Sequence, residues 1–192
     1  AAMALRRRGV GPVVVLEREA VAGGAPRHCG HPPFGLRELG RVLTGPAYAR
    51  LLVEKALAAG VEIRARHGVV GLLPGGGLRL ATPEGRRELW AERVVLATGV
   101  REMPRAARLI GGDRPLGVLT TGALQAFVHL EGLVPFRRPV ILGTELVSFS
   151  ALLTCRKAGI RPVAMVEPGP RPTARRALAL LPRALGIPIR YR

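Results

Sequence analysis

Two glutamates stand at the same place in two copies of one pattern. The stretch KAGIRPVAMVE (Lys157 to Glu167) lies over RRGVGPVVVLE (Arg7 to Glu17) at a constant offset of 150 residues, so that Gly9 matches Gly159, Pro12 matches Pro162 and Glu17 matches Glu167. Each glutamate closes a short apolar run, Val13 to Leu16 in the first copy and the run ending at Val166 in the second. In a dinucleotide-binding βαβ unit, a phosphate sits on the first helix N-terminus and an acidic residue roughly 20 positions on accepts hydrogen bonds from ribose hydroxyls. A single glutamate after a strand is an ordinary solvated strand end. Two in register within an internal repeat point to ribose binding, above all at Glu17.

The elements that must hold these carboxylates are best read in the second copy. There a strand (Pro139 to Leu142), a turn beginning at Gly143, a helix from roughly Val147 to Ala158 and the strand before Glu167 make a nearly complete βαβ unit. The first copy opens on the last turns of a helix closing at Gly9, and the turn that would match Gly143 falls before residue 1. The front of that unit is therefore expected to be missing from the chain, and a half-domain of this kind would also continue past Arg192.

Between the copies, REAVAGGAPRHCGHPPFG reads as a long loop, followed by an amphipathic helix ending at Gly60 and a strand from Val61 to Ala65. Short strands near Val69 to Leu73, Leu78 to Thr82 and Arg87 to Trp90, set off by PGGG and PEG turns, form a meander. The apolar run Val94 to Ala97 reads as a strand buried on both faces, sharing one parallel sheet with Val13 to Leu16. Pro104, Gly111, Gly112, Pro115 and Pro135 break the pattern after it, with one helix around Gly122 to His129, so the crossing between domains is placed here. A helix from about Thr173 to Leu185 and a strand PIRY end the chain. The fold class is α/β: a Rossmann-like domain (parallel sheet plus β-meander) over residues 1–136, then the first part of a second Rossmann-like domain over residues 137–192.

Composition narrows the function classes. At 192 residues and 48% hydrophobic content the chain has ample material for a packed core. The formal charge of +17 raises the question of nucleic acid. Against it, only Lys55 and Lys157 among 30 basic residues are lysines, the arginines are scattered through every element, and aromatics at 4% leave few stacking platforms. No nucleic-acid partner is expected. No apolar run approaches the roughly 20 residues that cross a bilayer. No membrane association and a cytoplasmic location are expected. Cys29 and Cys155 form neither a C-x-x-C pair nor a disulfide series.

VVVLERE followed by GG, the meander, and ERVVLATGVREMPR together resemble the flavoproteins with two dinucleotide-binding domains, the glutathione-reductase-like or pyridine nucleotide-disulfide oxidoreductase superfamily. Within it the chain looks most like the flavoprotein subunits of the sarcosine oxidase alpha, hydrogen cyanide synthase and opine oxidase type. The resemblance implies an FAD-dependent oxidoreductase that moves hydride or electrons through the flavin. It implies that Glu17 holds the FAD adenosine ribose, that Arg18 and the Gly23-Gly24-Ala25 turn lie along the ADP half, and that the Val69 backbone meets the adenine edge. Thr98 and Gly99 would form the turn where the backbone approaches the cofactor. No catalytic residue is named.

The second unit departs from that pattern. Where GxGxxG is usual the chain reads GTELVS: Glu145 stands where a glycine lets the backbone approach a pyrophosphate, and Ser148 where a glycine allows tight helix packing. Glu167 would favour an unphosphorylated ribose, whereas Arg171, Arg175 and Arg176 would admit a 2′-phosphate, so NAD(P) remains an open choice. His28, Cys29 and His31 are possible metal ligands without a fourth at a familiar spacing, and no metal is expected. Arg27 and His28 would face phosphate if their loop runs beside the cofactor, and Cys29 lacks the partner a redox disulfide needs. The expected partners are a small-molecule substrate and either a partner subunit or further copies of the chain. The alternatives are a nicotinamide-independent flavoprotein that passes electrons to a partner, and a non-catalytic protein of the same fold.

Overall fold

The computed structural model describes residues 1–113 and 116–192. Pro115, read above as a breaker, lies outside the described residues. The chain divides into two compact units, one formed by Ala1–Pro26 and Ala47–Val100, the other by Arg27–Pro46 and Arg101–Arg192.

In the first unit, helix α1 (Ala2–Arg7) ends ahead of Gly9, which takes the left-handed conformation (φ +79°) that a residue without Cβ adopts freely. Strand β1 (Val14–Leu16) follows. After the short helix α2 (Leu36–Leu39), which belongs to the second unit, α3 (Gly45–Ala58) leads into β2 (Glu62–Arg64). β1 and β2 pair in parallel, Val15 opposite Ile63, as two strands joined through a helix must. The meander is as the turns predict: β3 (Gly68–Leu73), β4 (Gly77–Thr82) and β5 (Gly85–Trp90) pair antiparallel in chain order, with an irregularity between Val69 and Gly71. Val13, Ala49, Val61, Leu78 and Leu80 are buried here.

One expectation fails. Val94 to Ala97 is not a strand, does not pair with β1, and leaves Val95 and Leu96 about two-thirds exposed, at 63% and 65%. An apolar run becomes a parallel strand only beside another backbone, and among the described residues none stands next to it.

The second unit begins its regular structure with α4 (Thr121–His129), whose N-cap Thr120 accepts from the Ala123 N–H. Then come β6 (Val140–Leu142), α5 (Leu146–Lys157) and β7 (Ala164–Glu167). A 3₁₀ turn (Arg176–Ala179) runs into the short α6 (Leu180–Ala184) and β8 (Ile189–Tyr191). In place of the helix expected from about Thr173 to Leu185 there is this 3₁₀ turn and a five-residue α-helix, preceded by a segment whose Thr173 and Ala174 N–H groups donate to Thr144. The sheet is parallel, β6-β7-β8. α5 is buried on both sides: Phe149 and Leu152 pack with Ile141, Met165 and Ile187 of the sheet, and Ala151 and Cys155 pack with Leu124 of α4. A helix packed on two faces is held firmly, and so is its N-terminus at the mouth of the sheet.

Candidate functional site

The first carboxylate sits where the repeat places it. The Glu17 N–H donates to the Arg64 carbonyl at 3.0 Å, carrying the β1-β2 ladder one residue beyond the strand. Its Oε1 then accepts the Glu19 N–H at 2.9 Å, so the side chain folds back against its own turn. Glu17 Oε2 has no hydrogen-bond donor among the described residues. The Arg66 N–H donates to the Glu19 carbonyl and the His67 N–H to the Glu17 carbonyl, each at 2.9 Å, and this brings the head of β3 beside the glutamate.

Glu17, Arg18 and Val69 are thereby gathered at one edge. Val69 pairs with Leu80 near the head of β3. The exposed Arg18 guanidinium pairs with Glu19 at 3.2 Å. Gly23 and Gly24, at φ +129° and +60°, turn the loop through conformations that favour glycine, and Ala25 opens a 3₁₀ turn ending at His28. Thr98 and Gly99 lie in the exposed stretch after β5, and no hydrogen bond among the described residues ties them to Glu17.

The second carboxylate repeats the first and then differs. Glu167 ends β7, and its Oε1 accepts the Gly169 N–H at 3.0 Å, two residues on, as Glu17 does with Glu19. Its Oε2, however, accepts the hydroxyls of Thr144 and, at 3.3 Å, Thr173. Thr144 also accepts the Thr173 N–H at 2.9 Å on its hydroxyl and the Ala174 N–H at 3.0 Å on its carbonyl. Both Thr144 (0% exposed) and Glu167 (5%) are sealed by this fold-back of residues 168–174. The Thr144 hydroxyl first, then the Gly169 N–H, holds the Glu167 carboxyl below the usual carboxylate range.

At the α5 N-terminus the Glu145 carboxylate bends back over the Gly143 turn, close enough that a Cβ on Gly143 would collide with Oε2. Ser148 Oγ donates to it at 2.8 Å, and Arg108 pairs with it at 3.7 Å. Arg171, Arg175 and Arg176 are exposed. Sequence reasoning passes over Thr144 and Thr173. The signal for them is a hydroxyl residue directly after the first glycine of the turn, and another six residues beyond the strand-end glutamate.

The loop carrying His28, Cys29 and His31 docks on α4. Cys29 Sγ donates to Gln125 Oε1 at 3.6 Å, and Gln125 Nε2 donates to Ser150 Oγ at 3.0 Å. Among the described residues no three His, Cys, Asp or Glu side chains converge as a metal ion would require. No helix among them is long and apolar enough to cross a membrane.

No known family profile matches the chain. It is 29% identical to an opine oxidase subunit of Rhizobium meliloti (strain 1021) over 133 residues, 69% of this chain and 28% of that protein. It is 35% identical to the sarcosine oxidase alpha subunit of the same organism over 85 residues, 43% of this chain and 8% of that protein. Superposition on the crystal structure of L-proline dehydrogenase from P. horikoshii covers 91% of this chain and 34% of that one, with a TM-score of 0.66 at 19% identity. The chain has a mixed α/β, Rossmann-like fold with parallel sheets, shared with that structure. Both relatives are of the kind the sequence resembles, and the chain spans less than a third of either. Within this fold the two carboxylates occupy equivalent places, one with an oxygen that accepts no bond among the described residues and one with both oxygens taken.

Proposed function

We propose that the chain is the nucleotide-binding portion of an FAD-dependent oxidoreductase acting on a small-molecule substrate. The observation that carries the reading is Glu17: a half-buried carboxylate at the carboxyl edge of a parallel strand, with one oxygen pinned to its own turn and the other open to a ligand hydroxyl. Those groups fit the adenosine ribose of FAD. Arg18 and Gly23-Gly24-Ala25 would follow the ADP half, the Val69 backbone the adenine, and Thr98 and Gly99 the flavin side. When bound, FAD supplies two-electron chemistry at its ring, and the residues of this chain supply grip and orientation. The portion to residue 136 belongs to that FAD-binding domain, and residues 137–192 to the second, nucleotide-type domain.

A second form of this reading has its own support. The relatives are named as subunits of oxidases, which favours a flavoprotein that works beside a partner subunit in the cytoplasm. Expression of the full-length protein tests both. A yellow protein that releases stoichiometric FAD on denaturation is expected, with Glu17→Ala losing it. A colourless, folded wild-type protein that takes up no FAD on reconstitution refutes the proposal.

A further inference from the structure

The second unit has the strand, turn and helix of a dinucleotide cradle, and its own side chains fill that cradle from both ends. In an open parallel sheet, ligands enter outside the carboxyl ends of the strands. Here those are the ends of β6 and β7, occupied by Thr144, Glu145 and Glu167.

At the phosphate end, a helix N-terminus attracts an anion, and the N-cap residue Glu145 places its own negative charge there without hydrogen-bonding the first N–H groups. It lies against Gly143, where a pyrophosphate needs bare backbone, and is held there by Ser148 and Arg108. An incoming pyrophosphate meets a like charge and a filled turn.

At the ribose end, the acceptor capacity of Glu167 is used by Gly169, Thr144 and Thr173. Thr144 is itself tied to the N–H groups of Thr173 and Ala174. A ribose gains its two hydroxyl contacts only by displacing these bonds and lifting the segment 168–174. The exchange returns little net free energy, because each new bond replaces one already made.

We infer that the second unit refuses nicotinamide dinucleotides, Glu145 excluding the pyrophosphate and the Thr144, Glu167 and Thr173 set excluding the adenosine ribose. Two unrelated side-chain arrangements close the two ends, so the refusal does not hang on one contact. It deepens the proposed flavoprotein reading, and its bearing on the electron acceptor rests on that reading: NAD(P) is not the group that exchanges electrons with this flavin.

The test is calorimetric titration of the full-length protein with NADH and with NADPH. No saturable binding is expected up to about 1 mM, the upper end of ordinary working affinities. Saturable micromolar binding by the wild-type protein overturns the inference. The variant E145G/S148G/T144V/T173V, which restores the glycine spacing and removes both hydroxyls from Glu167 Oε2, is expected to bind NADH or NADPH saturably within the same range. Should it fail to fold, E145A/T144V/T173V clears the carboxylate from the Gly143 turn and both hydroxyls from Glu167 Oε2 and is expected to show the same gain. A folded variant that still refuses both nucleotides overturns the assignment to these residues. Flavin absorbance, recorded before each titration, keeps the two readings apart. Flavin-free protein that refuses NADH defeats the flavoprotein proposal and leaves the refusal standing, whereas flavin-loaded protein that binds NADH tightly defeats only the refusal.

Discussion

Thr144 donates its hydroxyl to the carboxylate of Glu167 across the ends of β6 and β7, and both residues are buried. Hydrogen bonds to an ionised carboxylate favour the ionised form, which is why this carboxyl sits below its ordinary 4.5 in the folded chain. The unfolded chain therefore takes up the proton first as pH falls. The stabilisation is whole above about 4.5 and is lost as the medium becomes more acidic than that. Glu167→Gln keeps the size but presents an amide donor to two hydroxyls. It is expected to cost about 1–3 kcal/mol at neutral pH and to flatten the acid limb of stability. Urea unfolding at neutral pH and at about pH 3 measures both.

Gly30 rests on the imidazole of His129. A Cβ built on Gly30 overlaps the ring at Cε1 and Nε2, while its backbone conformation is one any residue adopts, so the constraint is space rather than φ. Gly30→Ala is expected to cost about 1–3 kcal/mol by overpacking. Pairing it with His129→Ala should recover most of that, and thermal unfolding of the four chains in a double-mutant cycle gives the coupling.

The same loop is sensitive to acid. Burial, and then Arg27, lowers the pKa of His28 against a smaller opposite pull from Glu102. Burial lowers that of His129 as well, followed by Lys157, His28 and His31. Both folded values lie below 6.5, so the unfolded chain binds protons first and stability falls as pH drops through that region. Amide protection over residues 27–46, expressed against the intrinsic exchange rate at each pH, should fall between about pH 8 and about pH 5.5. Unchanged protection over that interval, with the chain folded at both ends of it, contradicts the account.

Neither cysteine is poised as a nucleophile. Burial pushes the Cys155 thiol up to about 11, and the side chain has no exposed surface between α4 and α5. Burial and then Glu102 also raise Cys29. A thiol reagent at neutral pH should label Cys29 slowly and Cys155 only after denaturation. Rapid labelling of Cys155 in the native chain would mean that α5 is not buried as described.

Much of this was legible in the residues because the signals were local. Turn glycines and prolines mark the meander strand by strand, and the repeat places Glu17 and Glu167 at equivalent strand ends down to the shared back-turn onto the second residue ahead. What was not legible depends on partners distant in sequence. Val94 to Ala97 has the composition of an interior strand, but composition does not say whether a neighbour stands beside it. The segment ahead of α6 is tied by Thr173 to a threonine 29 residues earlier, a bond no periodicity reports. Thr144 looks like a filler position between Gly143 and Glu145, and its role appears only when the 168–174 segment folds over it.

Equivalent positions with opposite occupancy lead to an asymmetric pair of variants. On the proposed reading Glu17 Oε2 takes a ribose hydroxyl, so Glu17→Gln is expected to remove a charge-assisted bond worth about 1.5–3 kcal/mol, or about ten- to a hundred-fold in FAD affinity. Glu167→Gln breaks only bonds within the protein and should leave FAD affinity unchanged, despite its larger effect on stability. Reconstitution of the full-length apoprotein with FAD, followed by flavin fluorescence quenching, compares the two directly. Equal losses would mean that Glu17 acts through the fold rather than on the nucleotide, since a general loosening of the chain cannot tell one strand end from the other.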